Sequence, residues 1–291
     1  MLAQNRNALA VLVSGLLVAA CGGESKKPEG TGGHAGSTGA TGGNAGAVTA
    51  GAGGTGGTVA CDPPKFEDPG VQAALEPAIT AMGVGNVTTA TLSDVSSLGG
   101  LECLTGLRSL GVTGGTLTEL GPLAALHALT TLELYQVPVT ELRPLADLTK
   151  LTQLALTGTH VSDLDSLAGL TALVSLYVSD TNVAELGPMR GATALKVLNA
   201  SGSPLTSVEP LADLPLLEQL DVSRTALTSI AALGAPPAGS SCPKLKALDT
   251  SLDTDTISRT IPMLCDLGWI VQWSLPGASE QACGPPCEPR P

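Results

Sequence analysis

An α/β solenoid, with short parallel strands stacked along a concave face and helical or 3₁₀ turns returning along the convex one, is the fold class this sequence predicts. Three observations carry it. Leu107, Leu129, Leu151, Leu173, Leu195 and Leu217 follow one another at intervals of 22 residues, an internal repeat in constant register. Within each interval apolar residues alternate at every second position and then recur at every third, which describes a strand followed by a tight helical turn. Finally, the core has to be aliphatic, because 47 of the 291 residues are leucine while aromatics make up only 2%.

The chain opens with one arginine, Arg6, and an apolar run over 8–20. Thirteen helical residues span about 20 Å, short of the roughly 30 Å hydrocarbon core of a bilayer, so the run reads as a signal peptide over 1–20 rather than a membrane span. The tetrad Val18-Ala19-Ala20-Cys21 that ends it closely resembles the lipobox of bacterial lipoproteins. That resemblance implies cleavage before Cys21, lipidation of that cysteine and attachment at the bacterial cell envelope. Gly22 and Gly23 stand where an aspartate would retain such a protein in an inner membrane, so the same resemblance implies an outer membrane. Removal of 1–20 takes away only Arg6, leaving the mature chain slightly more acidic than the −12 of the full sequence.

Residues 21–60 follow as a tether. The stretch after Cys21 contains 15 glycines among Ser, Thr and Ala, too little apolar surface to offset the ordering of its backbone, and it is expected to stay disordered. A coil of this length reaches roughly 35 Å on average, enough to hold a folded domain clear of lipid headgroups. Gly51, Gly53 and Gly56 form a G-x-G-x-x-G string, but no strand precedes it and no helix follows, so it reads as tether and not as a nucleotide loop.

Residues 61–86 read as a helical N-terminal cap, with Asp68 as N-cap, Pro69 at the first helical position and an amphipathic helix following. Pro77 lies inside this helix and is expected to kink or split it. The repeats run over 87–252. One full copy is Leu151-x-x-Leu154-x-Leu156, then Val161, Leu164, Leu167 and Leu170, with Leu154 and Leu156 turned inward from the strand. Pro122, Pro144, Pro188 and Pro210 recur where the turn begins and fix its φ. A first, degenerate copy is expected with Thr88 and Ala90 at its strand positions. At the other end Leu245 and Leu248 follow Leu217 and Leu220 after 28 residues instead of 22, which places six extra residues between Leu233 and Leu245. Such a copy cannot bury its apolar face alone and folds only by stacking, here as eight strands about 4.8 Å apart, or about 34 Å of solenoid.

This phrase resembles the leucine-rich repeat proteins, and among them the 22-residue, internalin-like class of bacterial surface proteins. The resemblance covers about 87–252 and implies a protein-binding concave sheet. One departure is visible: the place held by asparagine in that family carries Gly115, Val137, Thr159, Thr181, Ser203 and Thr225. Hydroxyls at these places still bond backbone groups, though more weakly than an amide, and Val137 does not.

Residues 253–291 read as a C-terminal cap and a Cys/Pro-rich tail, with a helix over 255–267, interrupted by Pro262, and a closing strand over 268–273 that holds both tryptophans. With Cys21 lipidated, Cys61, Cys103, Cys242, Cys265, Cys283 and Cys287 make an even number in an exported chain, which favours disulfides. Position favours Cys61 with Cys103, and Cys242 would staple its loop to the cap; the remaining connectivity is open.

Chemistry is sparse by contrast. The acidic balance argues against a nucleic-acid partner, which needs clustered Lys and Arg. His34, His127 and His160 match no ligand spacing and no C-x-x-C occurs, so no metal and no cofactor is expected. Ser241 and Lys244 fit S-x-x-K without the motifs that accompany it in acyl enzymes, and Asp253 with Asp255 reads as a helix start. No catalytic residues are assigned, and the chain is not expected to be an enzyme. What the repeats present is the outward face of the strands: Thr131, Glu133 and Tyr135, Gln153 and Thr157, Ser175 and Tyr177, Asn199, and Asp221. Both tyrosines lie on it, two strands and so roughly 10 Å apart, and tyrosine supplies rigid contact area of the kind found at binding hot spots. The expected function is a monomeric, lipid-anchored module that binds a protein partner through this face; the alternative is a structural envelope spacer without a specific ligand.

Overall fold

Nine parallel strands stack in chain order, and a tenth closes the sheet antiparallel in the computed structural model, which describes residue 61 and residues 64–235 and 243–283. The strands are β1 (Thr89–Ser93), β2 (Ser109–Thr113), β3 (Thr131–Tyr135), β4 (Gln153–Ala155), β5 (Ser175–Tyr177), β6 (Val197–Asn199), β7 (Gln219–Asp221), β8 (Lys244–Ala247), β9 (Ile270–Trp273) and β10 (Gln281–Cys283). Leu110, Leu132, Leu154, Leu176, Leu198 and Leu220 stand in one column, each paired with the next. All six are at most 2% exposed, which is the shared aliphatic layer that a repeat unable to fold alone requires. Short 3₁₀ turns return on the opposite side, among them Gly121–Ala125, Arg143–Leu145, Gly187–Gly191 and Glu209–Leu211. Each of these four carries its repeat proline in the first turn. The expected signal peptide (1–20), the expected lipidation site Cys21 and the expected tether to residue 60 lie outside the described residues, as do Cys242 and Cys287.

Two registers differ from the sequence expectation, for one physical reason. In the first coil Ala90 pairs with Leu110 and Leu92 with Val112, so the inward strand residues are Ala90 and Leu92 rather than Thr88 and Ala90. At the other end Leu220 pairs with Leu245, an offset of 25 residues, so the coil gains three residues and not six. Leu245 and Ala247 point inward there, while Leu248 is only half-buried. One to three residues past each of β1 to β8 the chain enters a left-handed turn: Asp94, Gly114, Gln136, Gly158, Asp180, Gly202, Arg224 and Asp249 all have φ between 51° and 74°. Gly and Asp tolerate that conformation and bulky apolar residues do not. The expected registers would have put Leu92 and Leu252 in it; the observed ones put Asp94 and Asp249 there.

The hydroxyls that stand for asparagine form a buried ladder. Thr159, Thr181 and Thr225 each donate to a backbone carbonyl at 2.7 Å, those of Leu156, Val178 and Val222 respectively, and Ser203 donates across coils to Val178 at 2.7 Å. Thr181 N–H in turn donates to Ser203 Oγ at 3.1 Å. Thr250, one 25-residue offset beyond Thr225, continues the ladder to the Val222 carbonyl at 3.2 Å, an independent sign that the observed register is the one the polar groups satisfy.

The ends are covered by different devices. At the N-terminal end α1 (Pro69–Met82) buries Val71 and Leu75 against the first coil. Pro77 does not break it: the helix runs on to Gly83, whose φ of 84° ends it. Cys61 is bonded to Cys103, with 5.3 Å between the Cα atoms, which fastens the chain before α1 to the first coil. At the C-terminal end a π turn over Thr256–Thr260 leads into α2 (Ile261–Asp266). This wide turn falls just before Pro262, where a missing N–H interrupts the regular ladder. Trp269 is 3% exposed and its indole N–H donates to the Gly234 carbonyl at 3.0 Å. The stack continues through the expected closing strand, giving nine parallel strands instead of eight. β10, which the tail was not expected to contain, then pairs antiparallel with β9 and is tied to α2 by a Cys265–Cys283 bond with a Cα separation of 6.0 Å.

Candidate functional site

Alternation along the strands turns every second side chain away from the leucine core, and the constant register lines these residues up in rows. The middle row reads Gly111, Glu133, Ala155, Tyr177, Asn199 and Asp221. It continues through Lys246 and Gln272. A second row carries Thr131, Gln153, Ser175, Val197 and Gln219, followed by Lys244 and Ile270.

All nine residues that the sequence assigns to the concave face lie on it and are partly exposed: Thr131, Glu133, Tyr135, Gln153, Thr157, Ser175, Tyr177, Asn199 and Asp221. They do not form one cluster. Around Tyr135 the structure gathers Glu133 and Gln153, whose Nε2 donates to Glu133 Oε1 at 3.3 Å, and the hydroxyls of Thr157 and Ser179 lie 3.2 Å apart just past the ends of β4 and β5. The Tyr135 hydroxyl is pushed above its ordinary pKa, first by burial and then by the negative charges of Glu133 and ionised Tyr177. Ala155, between Glu133 and Tyr177 in the row, is fully covered; its methyl group lets the larger neighbours close over it.

A depression lies farther along the same face. It is a cavity of about 310 Å³ reaching from Tyr177 to Gln272 across β5 to β9. The strands at Leu198, Leu220 and Leu245 run beneath it, and its polar lining comes chiefly from Asn199, Gln219, Asp221, Lys244 and Lys246. Two of these groups are held by their own backbone: Asn199 Oδ1 accepts from Ser201 N–H and Asp221 Oδ1 from Ser223 N–H, each at 3.0 Å. The other Asp221 oxygen lies 3.6 Å from Lys246 Nζ. Lys244 is exposed and makes no ion pair among the described residues. Sequence reasoning missed Lys244, Lys246, Ile270 and Gln272 as face residues, because a three-residue error in register takes Lys244 and Lys246 off the strand. The signal that would have found them is Asp249, the left-handed turn residue that closes β8.

The electrostatics of the face differ from those of the whole chain. Its outward strand positions from β1 to β9 carry four charges, Glu133, Asp221, Lys244 and Lys246, so the face is neutral on a chain of formal charge −12. Glu133 stands toward β3, whereas Asp221 and both lysines lie side by side on β7 and β8. Among the described residues no group of three or more His, Cys, Asp and Glu is placed to hold a metal ion.

No protein-family model matches the chain, and no curated protein does. Solved structures do. An internalin of Listeria monocytogenes is 23% identical with a TM-score of 0.61, over 72% of this chain and 71% of the other. Internalin C2 of the same bacterium is 24% identical with a TM-score of 0.63, over 72% of this chain and 94% of the other. The shared element is the fold, a leucine-rich repeat solenoid with its parallel sheet on one face and short 3₁₀ turns on the other.

Proposed function

We propose that this chain is a binding module that engages a protein partner through the outward face of its sheet and is held at the bacterial envelope by lipid on Cys21. The observation that carries the reading is the contrast between the two sides of the strands. The inward side is wholly apolar and mostly leucine; the outward side carries both tyrosines, aligned amides and carboxylates, and a depression of about 310 Å³, on a face whose charge balances while the molecule as a whole is strongly acidic. A spacer needs the first feature and has no use for the second. The fold shared with the internalins supports the same reading.

A photo-crosslinking amino acid placed at Tyr177 in intact cells should capture one defined partner, while the same group at the exposed, opposite-side position Ala212 should not. The double substitution Tyr135→Ala with Tyr177→Ala should weaken that partner by at least about 30-fold if the tyrosines are hot spots worth roughly 2 kcal/mol together. Equal capture at both positions, or an unchanged affinity, favours the spacer. For the anchor, Cys21→Ser should move the protein from the membrane fraction to the soluble one. Retention on membranes would remove lipidation from the proposal and leave the binding face untouched.

A further inference from the structure

The second half of the sheet face has a chemistry of its own. Val197, Gln219, Lys244 and Ile270 follow one another on adjacent strands in a single row, about 14 Å from end to end at the usual strand spacing. The apolar members at the two ends are only half-buried. In the row beside it, Lys246 is engaged by Asp221, whereas Lys244 has no carboxylate partner among the described residues. At β8, on a chain of formal charge −12, the face thus presents one ammonium without an ion pair among the described residues, between two aliphatic side chains, at the edge of a cavity of about 310 Å³.

On this basis, and resting on the reading that the sheet face is the binding face, we propose that the β6–β9 part of that face takes an extended acidic segment of a partner polypeptide. A carboxylate of that segment sits on Lys244, and its aliphatic neighbours cover Val197 and Ile270. Charge complementarity selects the occupant. Two lysines beside a carboxylate are too few for a polyanion, whose affinity depends on neutralising many phosphates at once, but one free ammonium suits one or two side-chain carboxylates. An extended chain advances about 3.3 Å per residue, so some four or five residues span the row. Lys246, already satisfied by Asp221, fixes the position of that carboxylate and keeps the partner's acid on Lys244.

The test is selection of a random displayed peptide library on the purified intact chain, repeated on Lys244→Glu and Tyr177→Ala. The wild type should enrich peptides with Asp or Glu flanked by aliphatic residues. Lys244→Glu should weaken the enriched peptides by about tenfold or more at low salt, an effect that shrinks as salt screens it. Circular dichroism should be unchanged, because Lys244 is exposed. If peptides are enriched without acidic preference, or are indifferent to Lys244→Glu yet lost on Tyr177→Ala, the acidic ligand is overturned and the binding face stands. If nothing is enriched, or enrichment ignores both substitutions, both ideas fall. Displacement of the selected peptides by an oligogalacturonide at lower concentration than by free peptide would point to an acidic glycan and also overturn the proposal.

Discussion

Replacing Leu176 with alanine should destabilise the protein by about 3–5 kcal/mol, the upper part of the range for a buried leucine whose surroundings cannot collapse. Leu176 is fully buried and sits between Leu154 and Leu198 in the central column. Relaxation is difficult there because the strand above and the strand below are fixed by the same parallel ladder, so the lost side chain leaves a void inside a layer. The geometry of the stack adds a second expectation. Apart from the Arg224–Asp180 ion pair, which spans one intervening coil, the coils pack against their immediate neighbours, so the substitution weakens the coupling between the coils before it and those after it. Urea unfolding should therefore show a lower midpoint together with a shallower slope, or two separated transitions, instead of a simple displacement of one steep curve. Leu216→Ala is the matched control: that leucine is 43% exposed on the return side and should change stability by less than about 0.5 kcal/mol. A Leu176→Ala effect no larger than the control's would contradict a shared aliphatic interior.

The contrast between these two leucines also marks what the sequence reveals. A leucine at each 22-residue step is legible because burial of one layer against the next leaves few alternatives, and the column from Leu110 to Leu220 is where that period places it. Where the period fails, counting leucines misleads. Leu245 and Leu248 repeat the spacing of Leu217 and Leu220, yet Leu245 pairs with Leu220. The deciding interaction is a backbone one, the need for Asp249 rather than Leu252 at a φ of 51°. The same rule moves the first strand onto Ala90 and Leu92, because Asp94 takes the turn. Since Lys244 and Lys246 lie on that misread strand, an error in fold register became an error in the site. β10 was illegible for a different reason: Gln281–Cys283 has no apolar alternation, and it is held by pairing with β9 and by the bond from Cys283 to Cys265. The tyrosines were legible as face residues because period-2 alternation places them there. That only Tyr177 borders the depression depends on the three-dimensional course of several strands, which alternation along one strand does not contain.

Asp68→Ala should have the other large effect on stability, about 2–4 kcal/mol, because one carboxylate closes the N-terminal end of the stack. Its Oδ1 accepts from Gly70 N–H at 2.7 Å and from Val71 N–H at 3.4 Å, which caps α1. Its Oδ2 accepts from the N–H and the hydroxyl of Ser96, each at 2.7 Å, which fastens α1 to the first coil. The Ser96 N–H, then the Ser96 hydroxyl and the helix N–H groups, favour the charged form and outweigh the opposing effect of burial, drawing the carboxyl from 3.8 down to about 2. The folded-state pKa is thus below the unfolded one, so the associated stability is fully present above about pH 4 and is lost as pH falls from about 4 toward 2. Asp68 is only 7% exposed, so solvent screens these bonds little, and that share is on the order of 2 kcal/mol. Asp68→Asn keeps an acceptor but no charge, and should lie between wild type and Asp68→Ala while flattening the acid limb of the stability curve between pH 4 and 2. Amide exchange should locate the damage: protection should fall across α1 and at Ser96, while β4 to β7 keep theirs, since loss of an end cap in a nearest-neighbour stack frays the end first. Exchange rising evenly along all coils would mean that Asp68 acts on the whole molecule and not as a latch at its end.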